Sequence, residues 1–266
     1  MTGVQTCAFP IYQKDFYFFY MVLISGLSGI ILASDLFNTY VFLEIVGISA
    51  YILVAYLQKD KALLASYKYL FMGSLGGTLF LLGLFIIYKN TGSLSLEAIR
   101  ELGSLTDLPR RERNLCFSAL ITGLGIKTAF FPFHTWLPKA HPAAPSHVSG
   151  VMSGVIVKMG IYGILRVAGF LPQSLLMTAG EILMLISTAT ALYGILLSAI
   201  QKDLKRLLAF CTVENIGLVG MAIGLGMVGK SLSNHGMMMA GYGAALLHTL
   251  NHALFKPLLF FAAGKV

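Results

Sequence analysis

The sequence predicts an all-α, polytopic transmembrane bundle of about eight helices, and three observations carry that prediction. Hydrophobic residues make up 57% of the chain and charged residues 11%, with a mean hydropathy of +0.79, whereas a soluble domain carries roughly 25% charge. The apolar runs are long enough for helices of about 20 residues to cross a hydrocarbon core. They are also continuous rather than alternating, which excludes the strands of about 10 residues that build the other membrane-spanning fold, a closed barrel.

The chain opens with MTGVQTCAFPIY, residues 1–12. This stretch has no hydrophobic period and lacks the charged start and small-residue cleavage site of a signal peptide. It reads as a non-native leader resembling a translated sequencing adapter, or else as a short native loop, and carries no function. Residues 13–266 read as one transmembrane domain. Its first three helices are expected near 16–34, 36–57 and 62–88. Residues 89–113 then break the apolar pattern with both signs of charge and a short amphipathic stretch, LEAIREL, which predicts an exposed loop with a surface helix. Thr91 to Ser95 supply its turn and cap chemistry.

A fourth helix is expected near 114–132, and it cannot continue. Pro132, Pro138, Pro142 and Pro145 follow Lys127 too closely for one uninterrupted helix. A discontinuity just after Lys127 is therefore predicted, of the kind tolerated at membrane depth only inside protein or beside a water-filled cavity, where freed backbone groups bind ions or water. The remaining helices are placed near 147–170, 174–200, 204–227 and 236–264. Small residues in VSGVMSGVIV allow close helix approach in the first of these. Pro257 suggests a kink in the last, opening carbonyls to water. Cys7, Cys116 and Cys211 show no CxxC spacing, and the last two read as packing residues.

The formal net charge is +8. Several lysines sit within apolar helices and no basic, aromatic-interleaved surface is present, so nucleic acid is not a partner. The basic residues between helices divide nearly evenly over the two sides, which leaves orientation open.

Single ionisable groups inside apolar runs are the most informative feature. Such groups are costly in lipid, face protein or water, and mark ion or proton pathways. Glu44 sits near the centre of LFNTYVFLEIVGISAYILVAYL, too deep to reach either surface, and needs a partner. Burial disfavours its charged form and a nearby opposite charge restores it. A Glu and Lys pair that forms and separates thus switches a lysine between holding and releasing a proton; a static pair tying helices together is the alternative. Lys158 shares a helical face with Tyr162 and Arg166, and its greater depth makes it the proton carrier and Arg166 the interfacial anchor. His248, His252 and Lys256 recur every fourth residue and stack along one helical face. Two imidazoles so spaced suit zinc, but no third ligand is evident; a line of titratable groups is better explained as a proton relay. His134 and His141 beyond the break either relay protons or pin the irregular segment, with His134 favouring the latter. Glu214 either joins the relay or accepts a hydrogen bond at a helix crossing. Lys68 lies nearer a helix end, as an anchor or a further partner for Glu44. No nucleotide loop, nucleophilic triad or haem site is recognisable, so no cofactor and no metal is assigned.

Several stretches in order and spacing carry a resemblance: DLFNTYVFLE at 35–44, KTAFFPFHTWLPKAHPAAPSHVS at 127–149, KMGIYGILR at 158–166, DLKRLLAF at 203–210 and HTLNHALFKPLLFFAAG at 248–264. Together they resemble the antiporter-like, proton-conducting membrane subunits shared by NADH:quinone oxidoreductase, Mrp-type sodium/proton antiporters and membrane-bound NiFe hydrogenases. The resemblance implies that Glu44 and Lys127 are the paired residues of a proton half-channel, Lys158 the neighbouring central lysine, and His248 and His252 the histidines that continue the axis, with Lys256 beside them; His141, Glu214 and Lys68 are accessory candidates on the reading of the residues alone. DLFNTYVFLE looks most like the Mrp D subunit, HPAAPSHVS and TVENIG more like formate hydrogenlyase and related hydrogenase subunits, and Lys139 stands where the family more often has Asp or Glu. The implied function is proton translocation as a subunit of a redox-driven complex, with redox centres on other subunits; the alternatives are a sodium/proton antiporter subunit and a non-conducting scaffold. The implied setting is a prokaryotic inner membrane, with other membrane subunits as partners and protons, or sodium, as the transported ions. Family chains are longer and carry a second, inverted repeat, so the resemblance reads this sequence as a central fragment.

Overall fold

A computed structural model describes residues 13–101 and 108–265. The leader at 1–12 lies outside the described residues, as does part of the charged loop. Among the described residues the fold is all-α, with no strand beyond an isolated bridge between Asp35 and Ser95. The helices are α1 (Gln13–Leu32), α2 (Leu36–Ala55), α3 (Asp60–Thr91), α4 (Leu96–Glu101), α5 (Arg110–Thr128), α6 (Leu137–Ala143), α7 (Ser146–Val151), α8 (Val157–Phe170), α9 (Gln173–Ala199), α10 (Leu204–Ser231) and α11 (His235–Ala263). A short 3-10 turn, Phe133–Trp136, precedes α6, and a π-helical turn, Met152–Ile156, joins α7 to α8.

Seven segments among the described residues are long and apolar enough to cross a membrane: α1, α2, α3, α5 through α6, α7 through α8, α9 and α10. The chain is a polytopic transmembrane bundle. The eighth expected span, α11, has the length, 29 residues, but with His248, Asn251, His252 and Lys256 along it, it is not among the seven. Large apolar side chains such as Phe18, Met21, Phe71, Phe85, Leu185, Leu196, Leu247 and Leu254 point outward, as lipid requires.

Local chemistry explains the boundaries. Asp35 caps α2 by accepting from the Asn38 N–H at 2.8 Å. Gly92 ends α3 in the left-handed region, φ 68°, which glycine adopts without cost. Thr91 and Ser93 then close the turn through their hydroxyls, and the buried Leu96 and Ile99 seat the surface helix α4. The bundle pairs α1 with α2, α3 with α5, and α10 with both α9 and α11. Small residues set these approaches: Gly76 of α3 meets the Gly123 carbonyl of α5, and Gly217 of α10 meets the Ser187 carbonyl of α9.

The break after Lys127 is present. The three carbonyls just before it, of Leu124, Gly125 and Ile126, have donors of their own. Thr128 donates its hydroxyl to the Leu124 and Gly125 carbonyls, the Phe130 N–H also reaches Gly125, and the Trp136 indole donates to the Ile126 carbonyl at 3.0 Å. Ala129, in the left-handed region at φ 63°, adds its N–H to Ile126. The joint thus satisfies the carbonyls of the last helical turn from its own residues, which removes the penalty of leaving those three unpaired. Pro257 likewise lies inside a continuous α11, and Gly154 of the π turn packs against its ring and the Ala253 carbonyl. Arg166 donates to the Ala33 carbonyl at 2.7 Å and to the Tyr162 hydroxyl at 2.8 Å, closing the end of α1.

Candidate functional site

Two polar centres occupy the interior. In the first, Lys127, in the last turn of α5, donates to Glu44 of α2 at 2.8 Å; Lys127 is 11% exposed and Glu44 25%. Gly77 of α3 makes room for this pair, because a β-carbon there would overlap the Glu44 carboxylate. An aromatic tier lies beside it, where Tyr51 meets Tyr69 edge-on and Tyr69 stacks on Trp136 at 4.0 Å. The same tryptophan pins the break, so the joint and the tier are one construction. A cavity of about 20 Å³ lies among Tyr51, Tyr69, Lys127, Trp136 and the Met159–Gly160 stretch of α8. That is space for a single water.

The Gly77→Ala variant tests how tightly the pair is held. Its methyl group is expected to push the carboxylate off Lys127 and lower proton flux several-fold, with the protein still inserted and folded, as measured by dye quenching in proteoliposomes.

The second centre joins α8, α10 and α11. Lys158 is buried, and its ammonium donates to the Ser153 carbonyl and to His252 Nδ1, the latter at 2.5 Å. The π turn explains the first contact. Its wide register sends the Val157 N–H to the Met152 carbonyl instead of Ser153, and the displaced Ser153 carbonyl takes the ammonium. Ser153 also hydrogen-bonds Thr212 of α10 through its hydroxyl at 2.8 Å. Thr212 and Lys256 both donate to the Leu208 carbonyl, at 2.9 and 3.0 Å. One end of His248 faces Asn215 at 2.9 Å.

The structure thus brings Glu44 to Lys127, and Lys158 to His252. It places no direct contact between the two centres, which the small cavity and the α8 backbone separate. The histidine line is not a hydrogen-bonded wire either: the His248 and His252 rings stand 6.5 Å apart and each has a partner on another helix. Lys256 is buried and turned to α10. His141 is fully buried, stacked on Phe260 at 4.8 Å, with both ring nitrogens unpartnered among the described residues. Glu214 lies within electrostatic reach of His248 and Lys256 without a hydrogen bond. Lys68 does not partner Glu44. It faces Lys139, because about two and a half helical turns, roughly 13 Å, separate it from Gly77 at the carboxylate. His134 is wedged between Phe131 and Tyr193. Ser153, Thr212 and Asn215 were not singled out from sequence. Only the polar residues in the apolar runs MSGVIVK and CTVEN signalled them.

A paired carboxylate and lysine beside a lysine–imidazole pair, sealed from water on most sides, can hold and pass protons. The family model described as NADH:quinone oxidoreductase/Mrp antiporter, TM matches residues 33–266. The chain belongs to this family. It is an integral membrane protein. Hydrogenase-4 component B of Escherichia coli (strain K12) is 38% identical over 251 residues, covering 94% of this chain and 37% of that protein. The fold matches a chain of the membrane-bound sulfane sulfur reductase, an archaeal respiratory membrane complex, with a TM-score of 0.82 and 30% identity, covering 98% of this chain and 51% of that one. It also matches a chain of the Mrp complex from Dietzia sp. DQ12-45-1b, with a TM-score of 0.80 and 25% identity over 92% of this chain and 44% of that one. The chain spans about half or less of the length of these relatives.

Proposed function

We propose that this chain forms part of a proton-translocating membrane subunit of a redox-driven complex, in a prokaryotic inner membrane. The observation that carries this reading is the Glu44–Lys127 pair at the end of a broken helix, next to the Lys158–His252 contact. In this reading Glu44 sets the charge state of Lys127. When an event in a partner subunit draws the carboxylate away, the ammonium loses its counter-charge in a poorly solvated site and releases its proton. A water in the adjoining cavity takes it towards Lys158, and His252 and His248 form the next stations. Lys256, His141 and Glu214 are accessory groups around this line, and Lys68, which faces Lys139, lies away from it. The partners are other membrane subunits carrying the redox centres.

Sodium/proton exchange without redox chemistry is the second reading, favoured by the fold match to the Mrp complex. The full-length protein with its partner subunits, reconstituted in proteoliposomes, separates the two. Addition of an electron donor is expected to drive proton uptake or release, and a sodium gradient alone to drive none. Sodium-driven proton movement without a donor would transfer the protein to the exchange class.

A further inference from the structure

We infer that Asn215 is a latch on His248, fixing which nitrogen of that ring can exchange a proton. The inference rests on the proton-path reading above only for its consequence; its structural content stands separately.

The Asn215 side chain makes two hydrogen bonds of opposite kind. Its Nδ2 donates to the Cys211 carbonyl one turn back at 2.7 Å, and its Oδ1 faces His248 Nε2 at 2.9 Å. The orientation of the amide is decided by Cys211. A carbonyl oxygen can only accept, so the atom facing it must be the NH₂ group, and the atom facing His248 must be the oxygen. An amide oxygen also only accepts. His248 Nε2 must therefore carry a proton, and in the neutral ring Nδ1 is the bare, proton-accepting nitrogen. The alternative neutral tautomer would set a lone pair against a lone pair.

The consequence concerns transfer. A proton arriving at Nδ1 gives an imidazolium with both nitrogens protonated, and loss of the same proton from Nδ1 restores the starting ring. Passage through the ring requires the Nε2 proton to leave instead, and it cannot go while Asn215 holds it, because the amide oxygen is too weak a base to take it. His248 is thus a station that fills and empties from one side until Asn215 lets go. Glu214, beside Asn215 on α10, and Lys158 on α8 are the charged groups within electrostatic reach of the ring; neither touches it. Asn215 is a positioning residue, acting through His248.

The experiment has a spectroscopic and a transport arm, both on the full-length protein in its complex. With ¹⁵N-labelled histidine in membranes, and His248 assigned by difference from His248→Gln, Nε2 is expected to be protonated in the wild type and in Asn215→Asp, which keeps an acceptor oxygen. In Asn215→Leu both tautomers are expected. A proton on Nδ1 with a bare Nε2 in the wild type, or an unchanged tautomer in Asn215→Leu, overturns the latch. In proteoliposomes without electron donor, Asn215→Leu is expected to raise passive proton leak several-fold. The leak should vanish in Asn215→Leu/His248→Gln, which has no titrating ring. Leak that persists in the double variant reflects packing damage and overturns the inference. If His248→Gln alone leaves coupled pumping intact while the tautomers behave as stated, the latch stands and the placement of His248 on the proton path fails.

Discussion

The Lys127→Ala variant is expected to lose proton translocation, at least tenfold, in a reconstituted complex whose partner redox centres still turn over. Lys127 is the one ion-pair partner of Glu44 among the described residues, and removing it leaves a carboxylate in the bundle interior with nothing to offset its charge. Without the lysine there is no group whose charge the carboxylate can set, and the switch is lost. Breaking a fully buried pair costs about 3–5 kcal/mol; the cost here is smaller, because Glu44 keeps 25% exposure. The variant should therefore insert and assemble. A structural tie would give the same single-variant result through misassembly, so the informative control is Glu44→Gln/Lys127→Met. Neutral side chains of similar size remove the uncompensated charge and should recover thermal stability, while pumping stays absent. Pumping restored to the wild-type rate in that double variant would reduce the pair to a structural tie.

Much of the scaffold for this pair was legible in the sequence, and the reasons are physical. Continuous apolar runs leave helices as the only spanning choice, and the prolines after Lys127 point to a break there, although Pro142 and Pro257 each sit inside a helix. Spacing of four placed His248, His252 and Lys256 on one face of α11. What spacing could not give was the partner of each group. The π turn at Met152–Ile156 is written in small and β-branched residues that suit an α turn equally well, yet it is the π register that turns the Ser153 carbonyl to Lys158. The self-satisfied joint depends on Trp136 reaching back ten residues to Ile126, a contact visible only in three dimensions. Lys68 reads from sequence as an anchor near a helix end or a further partner for Glu44; depth along α3 separates it from the carboxylate. The contact of Asn215 with His248 exists only once α10 and α11 are packed together.

Lys158→Met is expected to abolish proton translocation as fully as Lys127→Ala, and with less damage to the fold. Methionine fills most of the volume of the lysine stem without bringing a charge into the protein. His252 loses its donor but keeps its place, since Phe255 still packs on its ring edge-on at 5.2 Å. Loss of activity in Lys158→Met alone would fit either a proton carrier or a fixed positive charge that merely shapes the field around His252. Lys158→Arg decides between them. A guanidinium retains the charge and can donate to the Ser153 carbonyl, but it does not give up a proton in a protein. A carrier role therefore predicts that Lys158→Arg fails to pump although it is assembled and charged. A field role predicts that it pumps close to the wild-type rate. Measured pumping in Lys158→Arg at the wild-type level would remove Lys158 from the proton path and leave His252 to be reached from another of the titratable groups that sense it, Lys256, His248 or His141.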